Sequence, residues 1–166
     1  MQQDTPLQIL ILCTGNSARS LLGEALLNHY AAGRWQAYSA GSQPKGIPHP
    51  LALSTLQSHG IETHNLRSKS WDEFASAHAP NLDVVITVCD NAANEMCPIW
   101  QGTPMKVHWG IADPAAVSGT EVDQRAAFEQ AFAILNRRVQ ALCSVAVNRH
   151  DPVHLKLVLD ELAKVD

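Results

Sequence analysis

The chain has 166 residues, 46% of them hydrophobic, which is enough for one domain with a sizeable core. A net charge of -4 argues against a general nucleic-acid-binding protein. No apolar run reaches the length of a membrane span, and the N-terminus lacks a signal-peptide pattern, so we expect a cytoplasmic protein that makes no membrane contact. Four cysteines in that compartment are more typical of reactive or metal-binding thiols than of disulfides, and the absence of a CxxC pair gives zinc little support.

The first pattern in the chain is an apolar strand, a loop and a helix. Residues 8–12 form a short apolar run that predicts a buried strand, and residues 18–31 repeat apolar side chains at helical spacing. Between them lies Cys-Thr-Gly-Asn-Ser-Ala-Arg-Ser, residues 13–20, which we call the anion loop. A helix N-terminus offers unpaired N–H donors and partial positive charge, so the loop predicts a site for a tetrahedral oxyanion.

The composition of the anion loop assigns roles within it. Cys13 is the predicted nucleophile, because the same positive field favours a thiolate, and Arg19 would hold the anion oxygens. Ser20 is a candidate donor to the sulfur, while Gly15 and Asn16 tolerate the left-handed backbone of a curled loop. The alternative for Cys13 is a small buried hydrophobic residue at a strand end. The predicted oxyanion-binding residues are Thr14, Gly15, Asn16, Ser17, Ala18, Arg19 and Ser20.

Strand and helix patterns alternate along the rest of the chain. Strands are predicted over residues 35–40, 83–88 and 105–108. Helices are predicted over residues 48–59, in a short stretch from 70, over 122–142 and over 151–165. This alternation predicts an α/β fold: a single-domain, three-layer architecture with a central four-stranded parallel sheet flanked by helices.

Three chemically competent side chains follow three of these strands. Cys13 follows the first strand, Cys89 the third, and Asp113 comes shortly after the fourth. The carboxyl ends of parallel strands lie along one edge of a sheet, so the three should converge on one site, with Asp113 as a general acid. An Asp-Pro pair alone is more often a turn, and Cys89 alone is a buried strand-end thiol. Cys143, on the apolar side of the long helix, is predicted to be a core packing residue.

Several motifs resemble a known family. They are residues 13–20, Tyr-Ser-Ala-Gly at 38–41, Val-Cys-Asp-Asn at 88–91, Cys-Pro at 97–98 and His-Trp-Gly-Ile-Ala-Asp-Pro-Ala at 108–115. Over residues 7–142 the chain resembles the low-molecular-weight tyrosine phosphatase fold, and specifically its arsenate reductase branch. Phosphatases of this fold usually place an aromatic residue after the Asp-Pro, where this chain has Ala115 and Ala116. The resemblance implies a catalytic domain over 1–142 and a C-terminal helical extension over 143–166.

The resemblance also implies a mechanism for arsenic detoxification. Cys13 would attack arsenic, with Arg19 holding the oxygens and Asp113 protonating the departing one. Cys89 would then attack the sulfur of Cys13, and Cys97 would carry the disulfide outward. Seven residues separate Cys89 from Cys97, one more than in the thioredoxin-coupled pattern, so Cys97 is alternatively a helix-end cysteine before a proline. We expect no tightly bound cofactor; the implied partners are arsenate and an external thiol reductant, either thioredoxin or glutathione with glutaredoxin.

A supporting cluster follows from the same resemblance. Some relatives hold potassium with an asparagine, a glutamate, a serine and an aspartate, and Asn16, Glu24 and Ser39 match the first three. The fourth position falls on Lys69, whose ammonium would replace the cation, so we expect no metal. The alternative is that Lys69 is an ordinary solvated lysine.

Other functions and assemblies stay open on the sequence. The anion loop would serve a phosphatase acting on phosphotyrosine or small phosphoesters equally well, and a thiol-based sensor would bind an oxyanion without turnover. The predicted helix over 151–165 has an apolar face that needs a partner, either its own domain or a second subunit. A homodimer through this helix is therefore a hypothesis.

Overall fold

The computed structural model describes residues 5–95 and 98–166. The predicted relay residue Cys97 lies outside these residues. The strands are β1 (Leu7–Cys13), β2 (Trp35–Gly41), β3 (Val84–Thr87) and β4 (Met105–His108). The α-helices are α1 (Arg19–His29), α2 (Pro50–Ser58), α3 (Asp90–Asn94), α4 (Glu121–Cys143) and α5 (Pro152–Leu162). The short helix expected from residue 70 is a 3-10 turn, Trp71–Phe74, and a second such turn spans Pro114–Ala116.

The four strands form one parallel sheet in the order β2-β1-β3-β4. β1 lies in the middle, where Ile11 pairs with Ser39 of β2 on one side and with Ile86 of β3 on the other. β1 and β3 are buried along almost their whole length, which explains why their sequences are continuous apolar runs rather than alternating ones. The predicted four-stranded parallel sheet is confirmed, as are the long predicted helices that flank it.

The helical tail packs on its own domain. Leu155, Leu159 and Leu162 of α5 are buried, and α5 contacts α4 and β4. Trp109 donates its indole N–H to the Leu159 carbonyl at 2.9 Å, and the buried Arg138 of α4 donates to the carbonyl of Val165 at 2.8 Å. The apolar face that motivated a homodimer is thus covered within the chain, and the dimer stays a prediction for solution measurement.

The described helices differ in length and polarity. Over residues 5–95 and 98–166, none of them is long and apolar enough to cross a membrane. The longest, α4, starts with a capping box in which Thr120 and Asp123 each bind the other's backbone N–H. Its buried side chains lie on the side that packs against α1, α2 and α5, and most of its exposed positions are polar, with Val122 and Ala126 as exceptions.

Candidate active site

The backbone of the anion loop is held from outside by the loop that follows β2. We call residues 42–49 the flanking loop. Its backbone N–H groups donate to three carbonyls of the anion loop, which turns those carbonyls away from the loop interior and leaves the interior to N–H groups. The bonds join Gln43 to Thr14 (3.0 Å), Lys45 to Gly15 (2.9 Å) and His49 to Ser17 (2.8 Å). Backbone contacts from the flanking loop therefore help to shape the anion loop as a cradle for an anion.

Asn16 is fully buried at the centre of the loop and has a left-handed backbone, with a φ of 43°. The backbone N–H of Lys69 donates to Asn16 Oδ1 at 2.8 Å. A backbone N–H can only donate, so this bond fixes which end of the amide is oxygen. Asn16 Nδ2 must then donate, and it reaches Ser20 Oγ at 2.8 Å and Ser39 Oγ at 3.0 Å.

This orientation decides which way the hydrogen of Ser20 points. Because Ser20 Oγ accepts from Asn16, its own O–H is available to the sulfur of Cys13, 3.0 Å away. The backbone N–H of Asn16 also donates to Cys13 Sγ, at 3.2 Å. Two donors converge on a buried sulfur, an arrangement that suits a negatively charged thiolate.

The end of β2 fits against the anion loop only as glycine. A methyl group at Gly41 would lie 2.3 Å from the carbonyl oxygen of Thr14 and 3.0 Å from the backbone nitrogen of Asn16. Both are backbone atoms that cannot rotate away, so any side chain here would displace the loop. Gly41 ends the Tyr-Ser-Ala-Gly motif, and the close approach gives that motif a physical reason.

Arg19 and Asp113 meet at the mouth of the loop. Arg19, the first residue of α1, donates from Nη1 to the Ile111 carbonyl at 2.9 Å and places Nη2 3.6 Å from Asp113 Oδ2. Asp113 also accepts the backbone N–H of Ala115 at 3.0 Å, which fixes the carboxylate as the cap of the Pro114–Ala116 turn. Its side chain is 41% exposed, so the carboxyl can exchange protons with solvent.

A second buried cysteine lies beside the loop. Cys89 Sγ is 3.6 Å from Thr14 Oγ1, and it accepts the backbone N–H of Ala92 at 3.4 Å as the cap of α3. The hydroxyl of Thr14 in turn donates to Glu95 at 3.4 Å. The structure thus brings Cys89 to the rim of the predicted site. Cys143 is half-buried at the end of α4 and donates to the Tyr30 carbonyl at 3.8 Å, as expected of a packing residue.

Glu24 and Lys69 form a buried pair behind the loop. Lys69 Nζ lies 3.7 Å from Glu24 Oε1, and the two side chains are 10% exposed or less. Burial raises the pKa of Glu24 despite Lys69 and Ser39, and burial lowers the pKa of Lys69 despite Glu24. The Lys69 ammonium already places a positive charge beside Glu24, so these residues do not fit a further cation. Among the described residues no cluster of His, Cys, Asp and Glu could hold a metal ion.

Sequence reasoning predicts a turn after β2 but not the contacts that the flanking loop makes with the site. Burial lowers the pKa of His49, Lys45 lowers it further, and Asp113 acts in the opposite direction. The imidazole therefore lies within electrostatic reach of both charges at the site. The only available signal was a Ser-Gln-Pro-Lys-Gly turn, which predicts a loop but not its contacts.

The fold and site define the class of protein. Residues 8–152 match the family described as low molecular weight phosphotyrosine protein phosphatase, and the chain belongs to this family. It is 37% identical over 122 residues to a protein of Bacillus subtilis (strain 168) named arsenate reductase, spanning 74% of this chain and 84% of that one. The resemblance inferred from the motifs is therefore confirmed.

Solved structures share the fold across both branches of the family. A thioredoxin-dependent arsenate reductase of Corynebacterium glutamicum matches with a TM-score of 0.61 and 23% identity, covering 86% of this chain. The present chain spans 63% of that longer one. A tyrosine phosphatase of Escherichia coli K30, solved in complex with sulphate, matches with a TM-score of 0.64 and 21% identity, covering 82% of this chain and 96% of that one.

Proposed function

We propose that this protein reduces arsenate to arsenite through a thiol relay that starts at Cys13. The observation that carries the proposal is a second buried cysteine, Cys89, next to Thr14 of the anion loop. Hydrolysis of a phosphoester uses one cysteine, whereas reduction of an oxyanion needs two thiols that can form a disulfide. The relative named arsenate reductase supports the same branch.

In the first step the Cys13 thiolate attacks arsenic and one oxygen departs. Inward N–H groups of the loop and the guanidinium of Arg19 hold the remaining oxygens as charge redistributes. Asp113, 3.6 Å from Arg19 and open to solvent, donates the proton that lets the departing oxygen leave as water. The product of this step is a bond between Cys13 Sγ and As(V).

In the second step the thiolate of Cys89 attacks the sulfur of Cys13. A disulfide forms between the two residues, and the electron pair of the sulfur–arsenic bond stays on arsenic. Arsenic gains two electrons and leaves as arsenite, while two thiols are oxidised. Thr14 assists by holding Cys89 at the loop, and its hydroxyl links that thiol to the carboxylate of Glu95.

The relay then returns the enzyme to its starting state. Cys97 attacks Cys89, which releases Cys13 as a thiolate and moves the disulfide outward. An external dithiol reduces this disulfide, and the thioredoxin dependence of the Corynebacterium glutamicum relative favours thioredoxin over glutathione with glutaredoxin. The cytoplasm, where such reductants are abundant, is the compartment we propose.

A phosphatase acting on phosphotyrosine or small phosphoesters is the second candidate. The family description and the tyrosine phosphatase with this fold favour it, because the anion loop, Arg19 and Asp113 would perform that reaction unchanged. The Ala115–Ala116 pair after Asp113-Pro114 favours the reductase, since it offers a phenolic ring no aromatic partner there.

The deciding experiment measures arsenite formed from arsenate with a thioredoxin system and, separately, with glutathione and glutaredoxin. Cys13→Ser, Cys89→Ser and Cys97→Ser are compared with the parent, and Cys143→Ser is the matched control. We expect turnover with thioredoxin that is lost in the first three variants and kept in the control.

The other outcomes separate the alternatives. Turnover that survives Cys97→Ser and prefers glutathione assigns the last step to an external thiol. Hydrolysis of an aryl phosphate without any arsenite makes the protein a phosphatase. Binding of arsenate without either reaction makes it an oxyanion sensor.

A further inference from the structure

One lysine of the flanking loop lies directly against the anion loop. The backbone N–H of Lys45 donates to the Gly15 carbonyl at 2.9 Å, which anchors the residue there. Its side chain then crosses Gly15: a methyl group on Gly15 would lie 3.3 Å from Cε, 3.5 Å from Cγ and 3.6 Å from Cδ of Lys45. Glycine at residue 15 thus leaves room for the lysine stem at the loop.

The ammonium of Lys45 has no carboxylate partner in the described part of the chain. Most other cations near the site are engaged there: Arg19 pairs with Asp113, Lys69 with Glu24 and Arg67 with Glu73. Lys45 is exposed and forms no ion pair over residues 5–95 and 98–166. Its positive charge nevertheless reaches the site, because it acts on His49, on which Asp113 also acts.

The protein as a whole is a poor attractor of anions. With 16 acidic and 12 basic residues, its average field repels a dianion that approaches from solution. A local positive charge at the entrance to a cleft offsets that repulsion and raises the rate of encounter. A lysine suits this role, since its compact charge sits on a flexible stem and need not match one fixed geometry.

We infer that Lys45 is a substrate-recruiting residue that draws a small inorganic oxyanion, in its dianionic form, to the anion loop. It acts on the anion before and during binding, while the N–H groups of the loop and Arg19 hold the anion during the reaction. The inference rests on the proposed function only in naming arsenate as that anion, because any tetrahedral dianion would feel the same charge.

The test compares two alkylating reagents of similar size on Cys13. Iodoacetate is an anion and iodoacetamide is neutral, and the modified Cys13 peptide is followed by mass spectrometry in the full-length protein. For Lys45→Gln we expect the ratio of the iodoacetate rate to the iodoacetamide rate to fall about threefold to tenfold at low salt. The difference from the parent should shrink as ionic strength rises, since salt screens the charge.

Two further variants make the result specific. Lys45→Arg keeps the charge and should keep the ratio, while Lys106→Gln removes an exposed lysine of β4 with the same change in net charge and should leave the ratio unchanged. A purely structural role for Lys45 would slow both reagents equally. A parental ratio in Lys45→Gln, or an equal fall in Lys106→Gln, overturns the inference.

A parallel assay measures arsenate reduction. Lys45→Gln should lower kcat/KM for arsenate severalfold, more steeply at low salt, with kcat nearly unchanged. If no variant and no parent reduces arsenate, the proposed function fails, yet the alkylation ratio still decides the role of Lys45. A lowered kcat with an unchanged KM would contradict recruitment.

Discussion

The anion loop and the segment that follows Cys89 make an instructive pair. Each starts at a buried cysteine at the end of a central strand, β1 in one case and β3 in the other. In the anion loop, three carbonyls and the buried Asn16 are tied to neighbouring segments. The Cys89 segment, residues 89–95, holds a five-residue helix whose one buried residue is Ala92.

The difference matches the two tasks we propose. A cysteine that must hold a reacting anion benefits from a rigid environment, because small displacements of catalytic groups lower the reaction rate strongly. A cysteine that must reach other sulfurs needs a segment that can rearrange, and a helix of five residues has little stability of its own. The parallel sheet places the two segments next to each other, because β1 and β3 are neighbouring strands.

The largest expected effect comes from displacing the anion loop. Gly41→Ala should lower kcat/KM for arsenate by about 100-fold or more, because the added methyl must push the backbone of Thr14 and Asn16. Steady-state kinetics checks this. The matched control is Gly23→Ala, whose methyl would meet a side-chain atom rather than backbone, 3.1 Å from Ile11 Cδ1, and should leave activity intact. Equal activity in both variants would mean that the loop is not rigid.

Next in size is the effect of unpairing Glu24. Lys69→Met should cost about 3 kcal/mol of unfolding free energy near neutral pH, because it leaves a buried carboxylate without its cationic partner. Burial already raises the pKa of Glu24, and loss of the ammonium raises it further. A raised pKa stabilises the folded protein at low pH and does so less as pH rises, so the cost should shrink between about pH 8 and pH 5. Urea unfolding at both pH values measures it.

The double variant Glu24→Gln with Lys69→Met is the control for that prediction. It removes both charges and should recover much of the stability, with little difference between the two pH values. A pH-independent loss in Lys69→Met would show that packing of the lysine stem, rather than the charge on Glu24, carries the effect.

A smaller effect is expected in the Cys89 segment. His108 Nε2 lies 3.0 Å from Asp90 Oδ1, at the first turn of α3, and Thr87 holds the other ring nitrogen at 2.7 Å. His108→Ala should change unfolding free energy by no more than about 1 kcal/mol, since Asp90 is exposed. Iodoacetamide should nevertheless modify Cys89 several times faster. His78→Ala removes another exposed histidine and should change neither the unfolding free energy nor the modification rate of Cys89. If His108→Ala leaves the modification rate of Cys89 unchanged, the contact between His108 and Asp90 does not stabilise α3.

The smallest expected effect is that of potassium. Because Lys69 Nζ already pairs with Glu24 at 3.7 Å, exchanging sodium for potassium at constant ionic strength should leave the reduction rate unchanged. A clear stimulation by potassium would contradict the replacement of a metal charge by the ammonium.

The sheet and the placement of Cys13, Cys89 and Asp113 near one edge were predictable because their signals are local. Buried parallel strands are apolar runs, and Cys13 and Cys89 come at the ends of such runs, while Asp113 lies shortly after the fourth strand, at the edge where parallel strands end. The contacts of the flanking loop were not predictable, since every residue carries the same backbone N–H and no side-chain pattern says which carbonyl it reaches. The helix α3 was missed because five mostly polar residues offer no periodicity.

The packing of α5 connects the C-terminal segment to residues that position the candidate active site. Arg138 donates to the carbonyls of both Trp109 and Val165, and two residues after Trp109 the Ile111 carbonyl receives the Arg19 guanidinium. A protease that trims residues 152–166, or a tag fused in a way that unseats them, would be expected to slow turnover as well as lower stability. In laboratory evolution, this segment should tolerate fewer changes than its surface position suggests.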